Sequence, residues 1–137
     1  MEEKNVWFPS EKDVEDFELL VDMLNSQRKE FDLLSKKKAD GQLNQMKIKM
    51  ANRVLEPLKE LLSHEDSNKF LDTLEEDNIP TYSDLVLIIS QYETAIYEFK
   101  EKYHKYDEYY GDKRWMTDEF PPDYYQSEDY EDEIYDE

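Results

Sequence analysis

The sequence predicts an all-α protein: a small bundle of three long helices and one short helix, followed by a disordered acidic C-terminal tail. Three observations predict it. Apolar residues recur at three- and four-residue steps through three long stretches. Only two glycines occur among 137 residues, too few for a β-rich or loop-rich fold. From Thr117 onward the periodicity stops, Pro121 and Pro122 interrupt any helix, and ten acids stand with no base. The expected organisation is an N-terminal extension over 1–9, a helical bundle over 10–110 and an acidic, tyrosine-rich tail over 111–137.

The first helix is expected to start after Ser10. Ser10 and Asp13 have the spacing of a capping box, with Asp in the place usually held by Glu, and Pro9 lies just outside. Val14, Phe17, Leu20, Val21, Leu24, Phe31 and Leu34 then form one apolar stripe. Lys36, Lys37 and Lys38 suit the negative end of the helix dipole, and Ala39-Asp40-Gly41 ends the run. The second helix is expected over 42–62. Its stripe is Leu43, Met46, Met50, Val54, Leu58 and Leu61, widened by Ile48, Ala51, Leu55 and Leu62. Pro57 falls inside it and predicts a kink or a split, because proline removes a backbone donor.

A short helix is expected over 67–76, carrying Phe70, Leu71 and Leu74. The last helix follows the loop Asp77-Asn78-Ile79-Pro80. Thr81 or Ser83 can cap it, and Leu85, Ile88, Ile89, Tyr92, Ala95, Ile96, Phe99 and Tyr103 share a face reaching to about Lys105. Fraying is expected at Tyr109-Tyr110-Gly111-Asp112.

The charge balance limits the function classes. Seventeen basic residues stand against 36 acidic ones, a formal net charge of −19. Such a charge repels phosphate and anionic lipid, so direct nucleic-acid or membrane binding is disfavoured and basic surfaces are attracted. With no cysteine, disulfides, thiolate metal sites and cysteine nucleophiles are excluded. No apolar h-region follows Met1-Glu2-Glu3-Lys4-Asn5, and the longest apolar run, Leu85 to Ile89, is far short of the roughly 20 residues that span a bilayer. A cytoplasmic location is expected.

Sites for chemistry are scarce. A carboxylate-bridged di-metal bundle needs two Glu-x-x-His pairs, and only Glu101 with His104 has that spacing. Glu60 and His64 belong to no metal motif, no Asp-x-Asx-x-Asx-Gly calcium loop occurs, and two distant glycines cannot form a phosphate-cradling loop. Neither His64 nor His104 lies in a strand-turn setting suited to a nucleophile. No enzyme activity and no cofactor are expected.

Two features point to binding. Residues 28–60 carry nine bases and five acids, and Lys36, Lys37, Lys38, Lys47, Lys49 and Arg53 form a basic dock for phosphate, an acidic partner or the chain's own tail, or else a plain solvated face. The second feature is the C-terminal region, where eight of the eleven tyrosines lie between Tyr103 and Tyr135. A solubilising tail needs acid but not aromatics. Rings interleaved with carboxylates suit a binding segment, since charge steers it to a basic groove and the rings fill pockets there. The expected partner-binding residues are Tyr109, Tyr110, Trp115, Phe120, Asp123, Tyr124, Tyr125, Glu128, Asp129, Tyr130, Glu131, Asp132 and Tyr135.

This pattern inverts the cationic groove and stacking platforms with which proteins hold single-stranded nucleic acid. In composition the chain resembles the nucleic-acid mimics that viruses and mobile elements use against host nucleases and polymerases. The expected function is an inhibitor or regulator that occupies a basic, nucleic-acid-handling surface of a partner protein. The alternative is an acidic assembly factor or chaperone-like adaptor for a basic client, whose tail only solubilises.

Overall fold

A computed structural model describes residues 6–122. The element order is α1 (Glu11–Lys37), α2 (Gln45–Leu61), a 3-10 turn (Asp66–Phe70), α3 (Tyr82–Tyr103), β1 (His104–Asp107) and β2 (Asp112–Trp115). The chain divides into two compact units, one of residues 16–98 and one formed by the two ends of the chain, described over 6–15 and 99–122.

The capping box forms as its spacing predicts. The Ser10 Oγ accepts the Asp13 N–H at 3.0 Å, and the Asp13 carboxylate accepts the Ser10 N–H at 3.0 Å. In the larger unit α1 then buries Phe17, Leu24 and Phe31, one residue every second turn. Arg28 on the same helix pairs with Asp32 at 3.2 Å and reaches Glu93 of α3 at 2.5 Å.

The second helix starts three residues later than its periodicity predicts. Asn44 takes the cap by accepting the Lys47 N–H at 2.8 Å. The residues before it are extended: Gln42 bridges Thr81, and the Leu43 N–H donates to the Pro80 carbonyl at 3.0 Å. The buried face is the expected widened stripe without its methionines. Ile48, Ala51, Val54, Leu55 and Leu58 are buried, whereas Met46 and Met50 are exposed. Stiff branched side chains fill a core more definitely than methionine. Pro57 does not split the helix, which runs unbroken from Gln45 to Leu61 with Pro57 on its exposed side.

In place of a helix over 67–76 there is a 3-10 turn, Asp66–Phe70, followed by irregular chain. Phe70 is exposed while Leu71 and Leu74 are buried. Side chains supply the backbone bonds that a helix would have made. The Asn52 side chain accepts the Leu74 N–H at 2.9 Å and donates to the Leu74 carbonyl at 2.8 Å. The Tyr92 hydroxyl donates to the Asp72 carbonyl at 2.8 Å.

Helix α3 is capped by a second reciprocal pair: the Thr81 Oγ1 accepts the Asp84 N–H, and the Asp84 carboxylate accepts the Thr81 N–H, each at 3.1 Å. Within the larger unit it buries Leu85, Ile89, Tyr92, Ala95 and Ile96. Removing such a side chain from water stabilises the fold by about 1.5–3 kcal/mol.

The smaller unit departs most from expectation. Helix α3 ends at Tyr103, and the next residues form an antiparallel hairpin in which His104 pairs with Trp115, Lys105 with Arg114, Tyr106 with Lys113 and Asp107 with Asp112. The boundary expected between residues 110 and 111 therefore falls inside the hairpin turn. The described part of the expected tail begins with a strand, and Met116 and Thr117 beyond it are buried. Residues beyond 122, the rest of the expected tail, lie outside the described residues.

Candidate partner-binding hairpin

The hairpin turn is built around one carboxylate. Asp107 is buried, and its side chain accepts the Tyr109 N–H at 2.9 Å while its backbone carbonyl accepts the Gly111 N–H at 2.8 Å. An aspartate bonding the backbone two residues ahead is the Asx turn that this residue type favours. Gly111 adopts a φ of 74°, a left-handed conformation that glycine takes without steric cost.

The buried charge of Asp107 is compensated by Arg114, its near neighbour on the facing strand. The Arg114 Nε donates to the Asp107 carboxylate. The rest of the guanidinium donates to the backbone carbonyls of Trp115 at 3.1 Å, Phe120 at 2.7 Å and Pro121 at 2.7 Å. Its central carbon sits 5.3 Å from the centre of the Tyr110 ring. This one side chain joins both strands of the hairpin to the stretch after it, as its planar fork of donors allows.

Other bonds hold residues 117–120. The Thr117 N–H donates to the Phe120 carbonyl at 3.2 Å, the Asp118 N–H to the Pro9 carbonyl at 3.0 Å, and the Glu11 N–H to the Glu119 carboxylate at 3.1 Å. A side-chain hydrogen bond with Asp118 raises the Glu119 carboxyl above the usual glutamate range. Beneath the hairpin is an aromatic cluster. Tyr103 meets Phe99 at 4.8 Å and Trp7 at 5.5 Å between ring centres, and Trp115 meets His104 at 5.0 Å with the planes tilted by 54°.

Of the expected partner-binding residues, four are described, and all four belong to this unit. Tyr109 and Tyr110 are exposed at the turn, with rings edge to face at 5.0 Å. Phe120 is exposed just before the proline pair. Trp115 is half-buried against Phe99 and His104, so much of its ring serves the fold. Asp123, Tyr124, Tyr125, Glu128, Asp129, Tyr130, Glu131, Asp132 and Tyr135 lie outside the described residues.

The expected basic dock belongs to the larger unit. Lys36 and Lys37 end α1 and Lys38 follows them, all exposed. Lys49 and Arg53 are exposed on α2 beside Met46 and Met50. Lys47 is half-buried: its Nζ donates to the Tyr82 hydroxyl at 3.0 Å and lies 5.6 Å from the centre of that ring. Five of the six cations are therefore presented to solvent, and Lys47 is engaged by the fold.

Three residues of the hairpin escaped the sequence reading: Tyr106, which is exposed, and the Asp107–Arg114 pair that organises the turn. A signal for them existed in the polar stretch Asp107 to Asp112 with its single glycine, flanked by Tyr106 and Trp115.

Among the described residues, no group of three or more His, Asp or Glu side chains is placed to hold a metal ion. No helix among them is long and apolar enough to cross a membrane. A polar cleft of about 290 Å³ lies in the larger unit, lined by Glu56, Lys59, Glu60, Ser63, Asn68 and Thr73. No protein-family model, curated protein or solved structure matches this chain.

Proposed function

We propose that this chain is a non-enzymatic, acidic protein-binding module of the cytoplasm, an inhibitor or regulator that occupies a basic, nucleic-acid-handling surface of a partner protein. One observation carries the reading. A turn held by the Asp107–Arg114 pair displays Tyr109 and Tyr110, and it leads along the chain into residues 117–137, which hold ten acids and no base. Fixed aromatic side chains give contact area at little entropic cost, and the acids steer them to a cationic groove. Such a groove ordinarily receives phosphates and stacked bases, which the segment matches in charge and in flat rings. The absence of cysteine agrees with a reducing compartment.

The test is capture from source-cell lysate by the full chain and by a variant with the acids of 123–137 changed to Asn and Gln, at low and high salt. The captured protein is then titrated with the chain while it holds labelled single-stranded nucleic acid. Displacement at stoichiometric amounts, lost in the neutralised variant and weakened by salt, is the expected result. Binding without displacement would replace the mimic by an adaptor for a basic client. Equal capture by both chains would move the function to the helical unit.

A further inference from the structure

We propose that the hairpin turn is a binding site for arginine side chains of a protein partner, selective for guanidinium over ammonium. The inference deepens the reading above and rests on it for the partner's positive charge. Three observations within the turn carry it.

First, the turn offers aromatic and anionic groups together. Tyr109 is 76% exposed and Tyr110 59% exposed, with exposed Glu108 before them and exposed Asp112, the first residue of β2, after them; one Asp112 carboxylate oxygen accepts the Lys113 N–H at 2.7 Å. A guanidinium is recognised by that combination: its flat face lies on a ring while its edge donates two bonds to a carboxylate. An ammonium has neither the face nor the fork and holds its water more tightly.

Second, the groups are held before any partner arrives. The bonds from Asp107 to the Tyr109 and Gly111 N–H groups fix the backbone, and the edge-to-face contact at 5.0 Å fixes the two rings against each other. Little entropy remains to be lost on docking.

Third, the protein already shows this chemistry once. The Arg114 guanidinium lies 5.3 Å from the Tyr110 ring centre while donating to the Asp107 carboxylate. Arg114 is committed to carbonyls of the same unit, so it frames the turn, and Tyr110 keeps more than half its surface in solvent beside it. Exposed carboxylates attract both cations by charge, and in water their two-bond pairing with arginine discriminates only weakly. The exposed rings are what make the turn selective.

The experiment titrates the full chain into fluorescein-labelled hexa-arginine and hexalysine peptides, equal in charge, and reads anisotropy at about 0.1 M salt, where screening is effective beyond about 10 Å. The arginine peptide is expected to bind about three- to five-fold more tightly. In Tyr109→Leu/Tyr110→Leu that ratio should fall to near one, whereas Tyr109→Phe/Tyr110→Phe, which keeps the rings, should retain it. Both positions are exposed, and unchanged emission of Trp7 and Trp115, which lie in the same unit as the turn, together with unchanged far-ultraviolet circular dichroism confirms that each variant is folded. Equal affinity for the two peptides in the native chain overturns the proposal. So does an unchanged ratio in the leucine variant, which would assign selectivity to other rings, or a lost ratio in the phenylalanine variant, which would assign it to the hydroxyls. The outcome is separable from nucleic-acid displacement: a chain can displace nucleic acid without arginine selectivity, or show selectivity with no such competition.

Discussion

The two units of this chain are stabilised in different ways. In residues 16–98, helices bury stripes of Leu, Ile, Val and Phe, and the polar bonds mostly cap helices or tie loops to them. In the unit formed by the chain ends, two four-residue strands depend on one buried carboxylate, one arginine and a cluster of aromatic rings. A distributed apolar core tolerates the loss of most single side chains. A polar knot concentrates its stability in a few, because a buried charge that loses its partner is left with its full desolvation cost. The exposed rings of Tyr109 and Tyr110 lie on the knot.

The largest effect should come from charging the distributed core. Ile89 is fully buried on α3, and Ile89→Asp would place an unpaired carboxylate among apolar side chains. A cost of several kcal/mol is comparable to the whole stability of a small domain, so helicity at 222 nm should be lost at room temperature. A folded variant would show that this core is not the principal support of the helices. Next in size is Arg114→Ala, which removes one side of a buried ion pair at a cost of about 3–5 kcal/mol. Both tryptophans, Trp7 and Trp115, belong to the smaller unit, so their emission reports on it alone. The emission should shift to the red while most helicity at 222 nm persists. Simultaneous loss of both signals would mean that the two units melt as one.

The same contrast explains what could be read from the sequence. The capping box at Ser10, a cap at Thr81 as one of two candidates, and the existence and type of the three long helices follow from local spacing, and the structure contains them. The apolar side chains that α2 turns inward were in the expected stripe, but the exposure of Met46 and Met50 does not follow, because they keep the same spacing as side chains that are buried. The irregular run after Phe70 was hidden because its order comes from Asn52 and Tyr92, 22 and 20 residues away from their partners. The hairpin was hidden in a related way. Its strands are four residues long, without clean alternation, and Asp107 and Arg114 read as solvated charges until they are seen to pair. Aromatic density singled out Tyr109, Tyr110 and Phe120, which the structure exposes, but it could not distinguish exposed rings from the half-buried Trp115.

A smaller effect sharpens where the smaller unit ends. Ending the chain at residue 116 removes the Phe120 and Pro121 carbonyls that Arg114 bonds, and the Asp118 N–H that donates to Pro9. At about 0.5–1.5 kcal/mol for each lost bond, partly offset by water, the tryptophan-monitored transition should lose about 2 kcal/mol. Ending it at residue 122 keeps all of these bonds and should spare that loss. Equal stability of the two truncated chains, measured by urea titration, would show that the bonds to 117–121 add nothing to the hairpin.

The smallest effect probes the most deeply buried phenol of the larger unit, Tyr92. Burial raises the Tyr92 pKa, and the nearby Asp72 and Glu56 carboxylates raise it further, so the folded chain favours the protonated hydroxyl that donates to the Asp72 carbonyl. The folded pKa lies above the unfolded value of about 10, so this contribution is fully present below that pH and is lost as the pH rises past it. Tyr92→Phe removes both the bond and the titration. At neutral pH the variant should be less stable by about 1 kcal/mol. Above pH 10 the native chain loses about 1.4 kcal/mol per pH unit through this group while the variant loses none, so the two stabilities should meet near pH 11. The remaining tyrosines and lysines ionise in both chains and cancel from the difference. A gap that stays constant from pH 7 to 11 would mean that Tyr92 ionises as readily in the folded chain as in the unfolded one, and that the contact with Asp72 does not hold the phenol in its protonated form.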